Sequence, residues 1–193
     1  MSALMPNPVA EIQVQLAQNE SVTIRLLTPA DAPELMNYVD GLSEKTRSYF
    51  APHPFDWGTI QHICNTLDLT QVIRLVATPV NSTQIIAYVL LMSGATASDT
   101  ARYQAAGIQL DTETDCSLAP SITDAYQSRG LGGQLLQKAL EIAQAMGKKQ
   151  VILWGGVQAD NEQAFGFYRK YGFITIADFD RNGLNYAMCL QLA

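Results

Sequence analysis

"AYQSRGLGGQLL", residues Ala125 to Leu136, sets three glycines between a polar turn and the first leucines of an apolar stripe. Beyond it Leu131, Leu135, Leu136, Ala139, Leu140, Ala143 and Met146 fall at three- and four-residue steps, which predicts an amphipathic helix ended by Gly147. Glycine has the most backbone freedom to lose, so placing it at the mouth of a helix needs a reason. One reason is a tight turn that lets the helix pack closely. The other is a cradle: unpaired N–H groups and about half a positive charge at a helix N-terminus attract phosphate, and no Cβ holds the ligand away. Two nucleotide motifs fail on spacing, because GxGxxG would need glycine at Leu135 and no P-loop GK[ST] occurs.

On the N-terminal side, "CSLAPSIT" reads as the strand that feeds this turn. Further back, "VTIRLLT" predicts a strand, and "PADAPELMNYVDGL" a helix with Thr28 or Asp31 near its start and Gly41 after its end. "SEKTRSYF" is a second short helix capped by Ser43 and halted by Pro52 and Pro54, and "GTIQHICNTLD" a third. "QVIRLVAT" and "QIIAYVLLM" form a hairpin across "PVNST". Residues 93–100 read as a loop rich in small residues, and "RYQAAGIQLDTETD" carries no assignable period. On the C-terminal side follow a buried strand in "KQVILWGGV", a short helix in "NEQAFGFYRKYGF" from Asn161 to before Gly172, and a hairpin of "ITIADFD" with "LNYAMCLQL". The order predicts an α/β fold around a mixed sheet.

The chain has 193 residues, 48% hydrophobic and 16% charged, enough for one good core. Residues 1–20 read as an N-terminal arm, loose or added at a sheet edge. Cys64, Cys116 and Cys189 form no paired motif, which fits a reducing compartment, and His53 and His62 have no metal-ligand spacing. No signal or membrane segment is read, so a cytoplasmic protein is expected. A net charge of −6, with no basic cluster beyond Lys148 and Lys149, argues against nucleic-acid and membrane partners.

"QSRGLG" at Gln127 to Gly132 resembles the (R/Q)xxGx(G/A) acyl-CoA signature of the GNAT superfamily of CoA-dependent N-acyltransferases. The phrase "FYRKYGF", with Asn161 seven residues before Tyr168, is similar to that family's second motif, and "IRLLTPADAPEL" to its first strand and helix. The specific likeness covers residues 115–193. It implies that residues 21–193 form one GNAT domain with a mostly antiparallel sheet, flanked by helices and splayed at a central strand pair. Backbone groups of Pro120, Ser121 and Ile122 would then take the pantetheine arm of acetyl-CoA. Amides from Ser128 to Gly133, with Gln127, Arg129, Gly130, Leu131 and Gly132 in the same turn, would hold the diphosphate. Asn161 would sit near the thiol end or cap its helix. Pro120 lacks an N–H, which a bulged, splayed strand tolerates.

The implied activity moves acetyl from acetyl-CoA to a primary amine of a small molecule or peptide by direct attack on the thioester. An alkyl amine of pKa ~10.4 must first lose a proton, at a cost of roughly 4 to 5 kcal/mol at neutral pH. The departing thiolate needs one, and Tyr168 stands where the family keeps that acid. The family's glutamate base has no counterpart in "DCSLAPSI" or "LWGGVQAD", which leaves Asp115, Glu113 or a water chain. "RSYFAPHPFDW" either lines the acceptor pocket or packs in the core, with His53 read as surface-exposed and Trp57 and Trp154 as core residues. The missing glutamate keeps a second class open, an acyl-CoA sensor or docking module without turnover. No metal is expected, and a homodimer is left open.

Overall fold

Nine short runs of β-branched and apolar residues pair into one sheet in the computed structural model, which describes residues 9–17 and 19–192. The strands are β1 (Ile12–Gln15), β2 (Ser21–Leu26), β3 (Val72–Pro79), β4 (Ala87–Ser93), β5 (Asp115–Ile122), β6 (Gln150–Leu153), β7 (Val157–Gln158), β8 (Ile174–Asp180) and β9 (Leu184–Gln191). Their order is β1-β2-β3-β4-β5-β6-β9-β7, with β8 beside β9. Only β5 and β6 run parallel. The mostly antiparallel mixed sheet with flanking helices is the architecture expected. Of the N-terminal arm, Ile12–Gln15 joins the sheet edge on β2, while residues 1–8 lie outside the described residues.

Side-chain alternation gives the sheet two apolar faces, and different helices cover each. One face carries Ile24, Leu75, Val89 and Leu118 against α5 (Leu131–Ala145), whose leucine and alanine stripe is buried as its spacing predicts. The other carries Val76, Tyr88, Leu90 and Ala119 against α1 (Ala32–Gly41) and α3 (Trp57–Asn65). Asp31 fixes the start of α1: it takes both 2.8 Å hydrogen bonds of the Arg25 fork and one from the Thr28 amide. Between α1 and α3 lies α2 (Glu44–Tyr49), capped by Ser43 Oγ at 3.2 Å from the Thr46 amide.

Several readings change. Residues 93–100 are not all loop: α4 (Ala97–Ala105) begins there, capped by Thr96, and packs chiefly through Tyr103, whose hydroxyl donates to the Met188 carbonyl. Its small polar residues hide a helix that buries only Asp99 and Tyr103. Gly41 is the last residue of α1 and not the one beyond it. "KQVILWGGV" is two strands, because the chain turns at Trp154–Gly156 and β7 moves onto β9. Trp57 is not core but 47% exposed at the start of α3. No bulge occurs at Pro120, since β5 pairs with β4 in unbroken register from Cys116 to Ile122.

Candidate active site

Parallel β5 and β6 pair only over Asp115–Leu118 and Gln150–Leu153, and the Trp154 amide makes a last bond to the Leu118 carbonyl at 2.9 Å. Past that bond the strands diverge. Because Leu118 faces β6, the alternate residues Pro120 and Ile122 also turn their backbone groups into the gap, whereas Ser121 is directed to β4 opposite Tyr88. The N–H that proline lacks is therefore one that would face the slot, so the β4 ladder loses nothing and no bulge is needed. The turn that ends β6 is pinned from behind. Asp99, wholly buried and ion-paired with Arg102, accepts the Gly155 amide at 3.2 Å.

Beside this slot the chain turns through Asp124–Tyr126 into α5. Gln127 braces the turn, its amide donating to the Ile122 carbonyl at 3.1 Å and to Asp124 at 3.0 Å. Gly130 caps α5 at φ +91°, a left-handed conformation that glycine adopts without strain, and gives it no side-chain cap. Outside the helix itself, the amides of residues 128–133 donate to no acceptor among the described residues. Fifteen aligned peptide units stand behind them. A Cβ on Gly133 would lie 2.3 Å from the Tyr171 hydroxyl, so that glycine makes room for an aromatic wall. Ser128 adopts φ +59° and accepts from Gln163 at 3.3 Å, which joins the turn to α6 (Glu162–Lys170).

Asn161 caps α6, its Oδ1 accepting from the Ala164 amide at 3.2 Å. Nearly two turns later Tyr168 is held edge-on between Phe167 and Phe173, each 5.3 Å away. Burial holds its hydroxyl above the ordinary phenol range, so it stays protonated at neutral pH. Every residue named for the coenzyme or as the acid borders one cleft of about 940 Å³, except Arg129 and Leu131. Arg129 lies 5.0 Å over the Tyr126 ring and 3.6 Å from Glu20, while the Leu131 side chain is core.

On the far wall, Gln158 is a residue that sequence reasoning missed, while Tyr49 belongs to the aromatic stretch read as either pocket lining or core. Tyr49 and Gln158 face the cleft, and Gln158 donates to the Ser48 carbonyl at 2.7 Å across the gap. Asp124 accepts from Thr46 at 2.6 Å, so α2 is tied to both lips of the slot. These partners lie 78 and 110 residues apart, a separation that leaves no local pattern. Ser121 Oγ meets the Tyr38 hydroxyl at 2.5 Å. Trp154 is half-buried, both packed on the α1/α3 core and bordering the cleft.

The candidate bases lie elsewhere. Asp115 sits at the zipped end of β5, accepting from the Asp111 amide, Glu113 is in the loop before it, and neither borders the cleft. His53 is not surface-exposed but packed edge-on against Phe55 and Tyr88, and it is His62 that is exposed. No group of three metal-binding side chains occurs among the described residues, and none of their helices is long and apolar enough to cross a membrane.

Residues 121–173 match the Acetyltransferase (GNAT) family, the segment that holds the end of β5, the glycine turn and all of α6. An uncharacterized N-acetyltransferase of Methanocaldococcus jannaschii is 42% identical over 48 residues, which are 25% of this chain and 20% of that protein. The GNAT domain of S. lividans PAT superposes with a TM-score of 0.75 at 20% identity, over 94% of this chain and 97% of that one. YncA of Salmonella typhimurium, solved with its cofactor acetyl-CoA, gives 0.65 at 18% identity, over 89% and 94%. The segment around the glycine turn therefore matches the GNAT family, and along nearly the whole chain the fold is the one that these solved structures share.

Proposed function

We propose that the protein is an N-acetyltransferase that moves acetyl from acetyl-CoA to a primary amine of a small molecule or peptide by direct attack on the thioester, in the reducing environment of the cytoplasm. The observation that carries this reading is one cleft bordered by unbonded amides at the N-terminus of a fifteen-residue helix and by Tyr168. The neighbour solved with acetyl-CoA supports the choice of cosubstrate.

When bound, acetyl-CoA supplies an acetyl group activated as a thioester. The amides of Ser128 to Gly133 hold its diphosphate, and Arg129 supplies positive charge near the turn. The Pro120 carbonyl and the Ile122 backbone receive the pantetheine arm, with Ser121 orienting β5 from the β4 side. Asn161 keeps α6 in register, so that the Tyr168 hydroxyl gives its proton to the sulfur as it leaves. Asp124 is a poor base, because hydrogen bonds from Thr46 and then Ser43 hold it below the usual carboxylate range. Water in the cleft takes the amine proton.

A second reading, an acyl-CoA-binding module without turnover, draws on one observation: neither Asp115 nor Glu113 reaches the cleft. Release of free thiol from acetyl-CoA across a panel of alkyl amines and N-terminal peptides separates the two. The enzyme reading expects amine-dependent release, whereas tight binding with background release on every amine supports the module.

A further inference from the structure

Burying a polar atom without a partner costs free energy, and native folds leave few such atoms. Among the described residues three buried side-chain nitrogen or oxygen atoms have no hydrogen-bond partner: His53 Nε2, Arg74 Nε and the Tyr88 hydroxyl. They form one cluster. The His53 and Tyr88 rings are 5.9 Å apart, and the Arg74 charge acts on both. Arg74 rises from β3 and the wholly buried Tyr88 from β4, while His53 descends from the segment that joins α2 to α3. Phe50, which borders the cleft, lies 6.1 Å from Tyr88, so the cluster sits one aromatic layer behind the acceptor side.

Donor accounting constrains what fits. His53 Nδ1 lies 2.9 Å from the Pro54 carbonyl, which can only accept, so Nδ1 carries the proton and Nε2 of the neutral ring is a lone pair. Arg74 forms no ion pair among the described residues; it donates to the Val72 carbonyl at 3.4 Å and faces the Tyr88 hydroxyl closely enough to favour its ionised form. Water could satisfy the three atoms, but it would leave a half-buried guanidinium without a counter-charge.

We propose that Arg74, Tyr88 and His53 form a receptor for one small monovalent anion of chloride or formate size, whose binding draws a proton from solvent onto His53. With Nε2 protonated, each of the three side chains has a donor to offer, and the anion offsets one of two positive charges. Burial, helped by Arg74, keeps the ring neutral beforehand, against the pull of Asp56 at the start of α3. The other ionisable neighbours are Cys64 on α3 and Tyr38 on α1, 6.5 Å from the Tyr88 ring, and burial keeps both protonated. The inference is independent of the acetyltransferase reading.

The test is an NMR titration of the His53 ring in the whole protein, at constant ionic strength, in sodium chloride or formate and in sodium gluconate, whose anion is too large. The expected result is a His53 midpoint higher in the small anions by about half a unit or more, with exposed His62 equal in both salts. Tyr88→Phe, which keeps the ring and removes one donor, should shrink that difference. Bromide in the crystal should give an anomalous peak among the three side chains. Equal midpoints in both salts, as for a bound water, or no bromide peak, overturns the proposal.

Discussion

The two halves of the cleft are built by different means. The half assigned to the coenzyme is backbone: the strand end at Pro120 to Ile122 and the turn at Ser128 to Gly133, within one continuous stretch. The opposite half is side chain. There α2, a helix with no buried residue, is strapped over the slot by Thr46 to Asp124 and by Ser48 to Gln158. Backbone recognition fixes the chain's path and needs glycine at particular positions, so it leaves a mark in the residues. Side-chain tethers leave the chain free to use almost any polar pair, so one cradle can serve many acceptors.

The largest effect should come from the side chain assigned as the proton donor. Tyr168→Phe keeps the aromatic packing and loses a hydroxyl that bonds no other group among the described residues, so kcat should fall at least tenfold, and about a hundredfold for a typical proton donor. Thermal stability and acetyl-CoA affinity should be nearly unchanged; wild-type turnover in this variant would remove Tyr168 from the mechanism.

Next comes the footing of the acceptor half. Asp31→Asn breaks the paired bonds from Arg25 at the start of α1 and should cost about 2 kcal/mol near neutral pH. Burial opposes ionisation of Asp31, but the bonds from Arg25 and Thr28 outweigh it and hold its pKa below the ordinary carboxylate value. Because the folded pKa is the lower one, the stabilisation is present above the ordinary value and disappears as pH falls through the folded one. Melting temperatures of wild type and variant should therefore converge in strong acid, and a gap constant down to pH 2 would contradict this.

Gly130→Val probes the backbone half itself. A branched side chain at φ +91° strains the turn, and acetyl-CoA affinity should drop about tenfold, read by calorimetry, while the acceptor KM stays put. Smallest is Gln158→Ala, which cuts one cross-cleft tether worth about 1 kcal/mol. It should raise the acceptor KM a few-fold and leave acetyl-CoA binding alone. If Gly130→Val disturbs the acceptor while Gln158→Ala disturbs the coenzyme, the division between the halves fails.

The same division explains what could be read from the residues. The α5 stripe, the Ser43 and Asn161 caps and the hairpin of β8 and β9 are local, and each lies where its spacing indicated. The glycine turn led to the cleft because its backbone geometry is written in Gly130 and Gly133. By contrast α4 escaped notice because it buries only Asp99 and Tyr103, too few for a period. His53 and Trp57 exchanged their expected environments because packing of the segment between α2 and α3 is decided by contacts with β3 and β4, remote in sequence. Nothing near Tyr49 or Gln158 announces the partner across the slot.

Calorimetric titration of the protein with coenzyme A bears most directly on the central claim, that the amides at Ser128 to Gly133 receive a diphosphate. The account predicts saturable one-to-one binding that weakens about tenfold when the diphosphate is cut away, leaving phosphopantetheine. No heat of association at millimolar coenzyme A, or equal affinity for the truncated ligand, would contradict it.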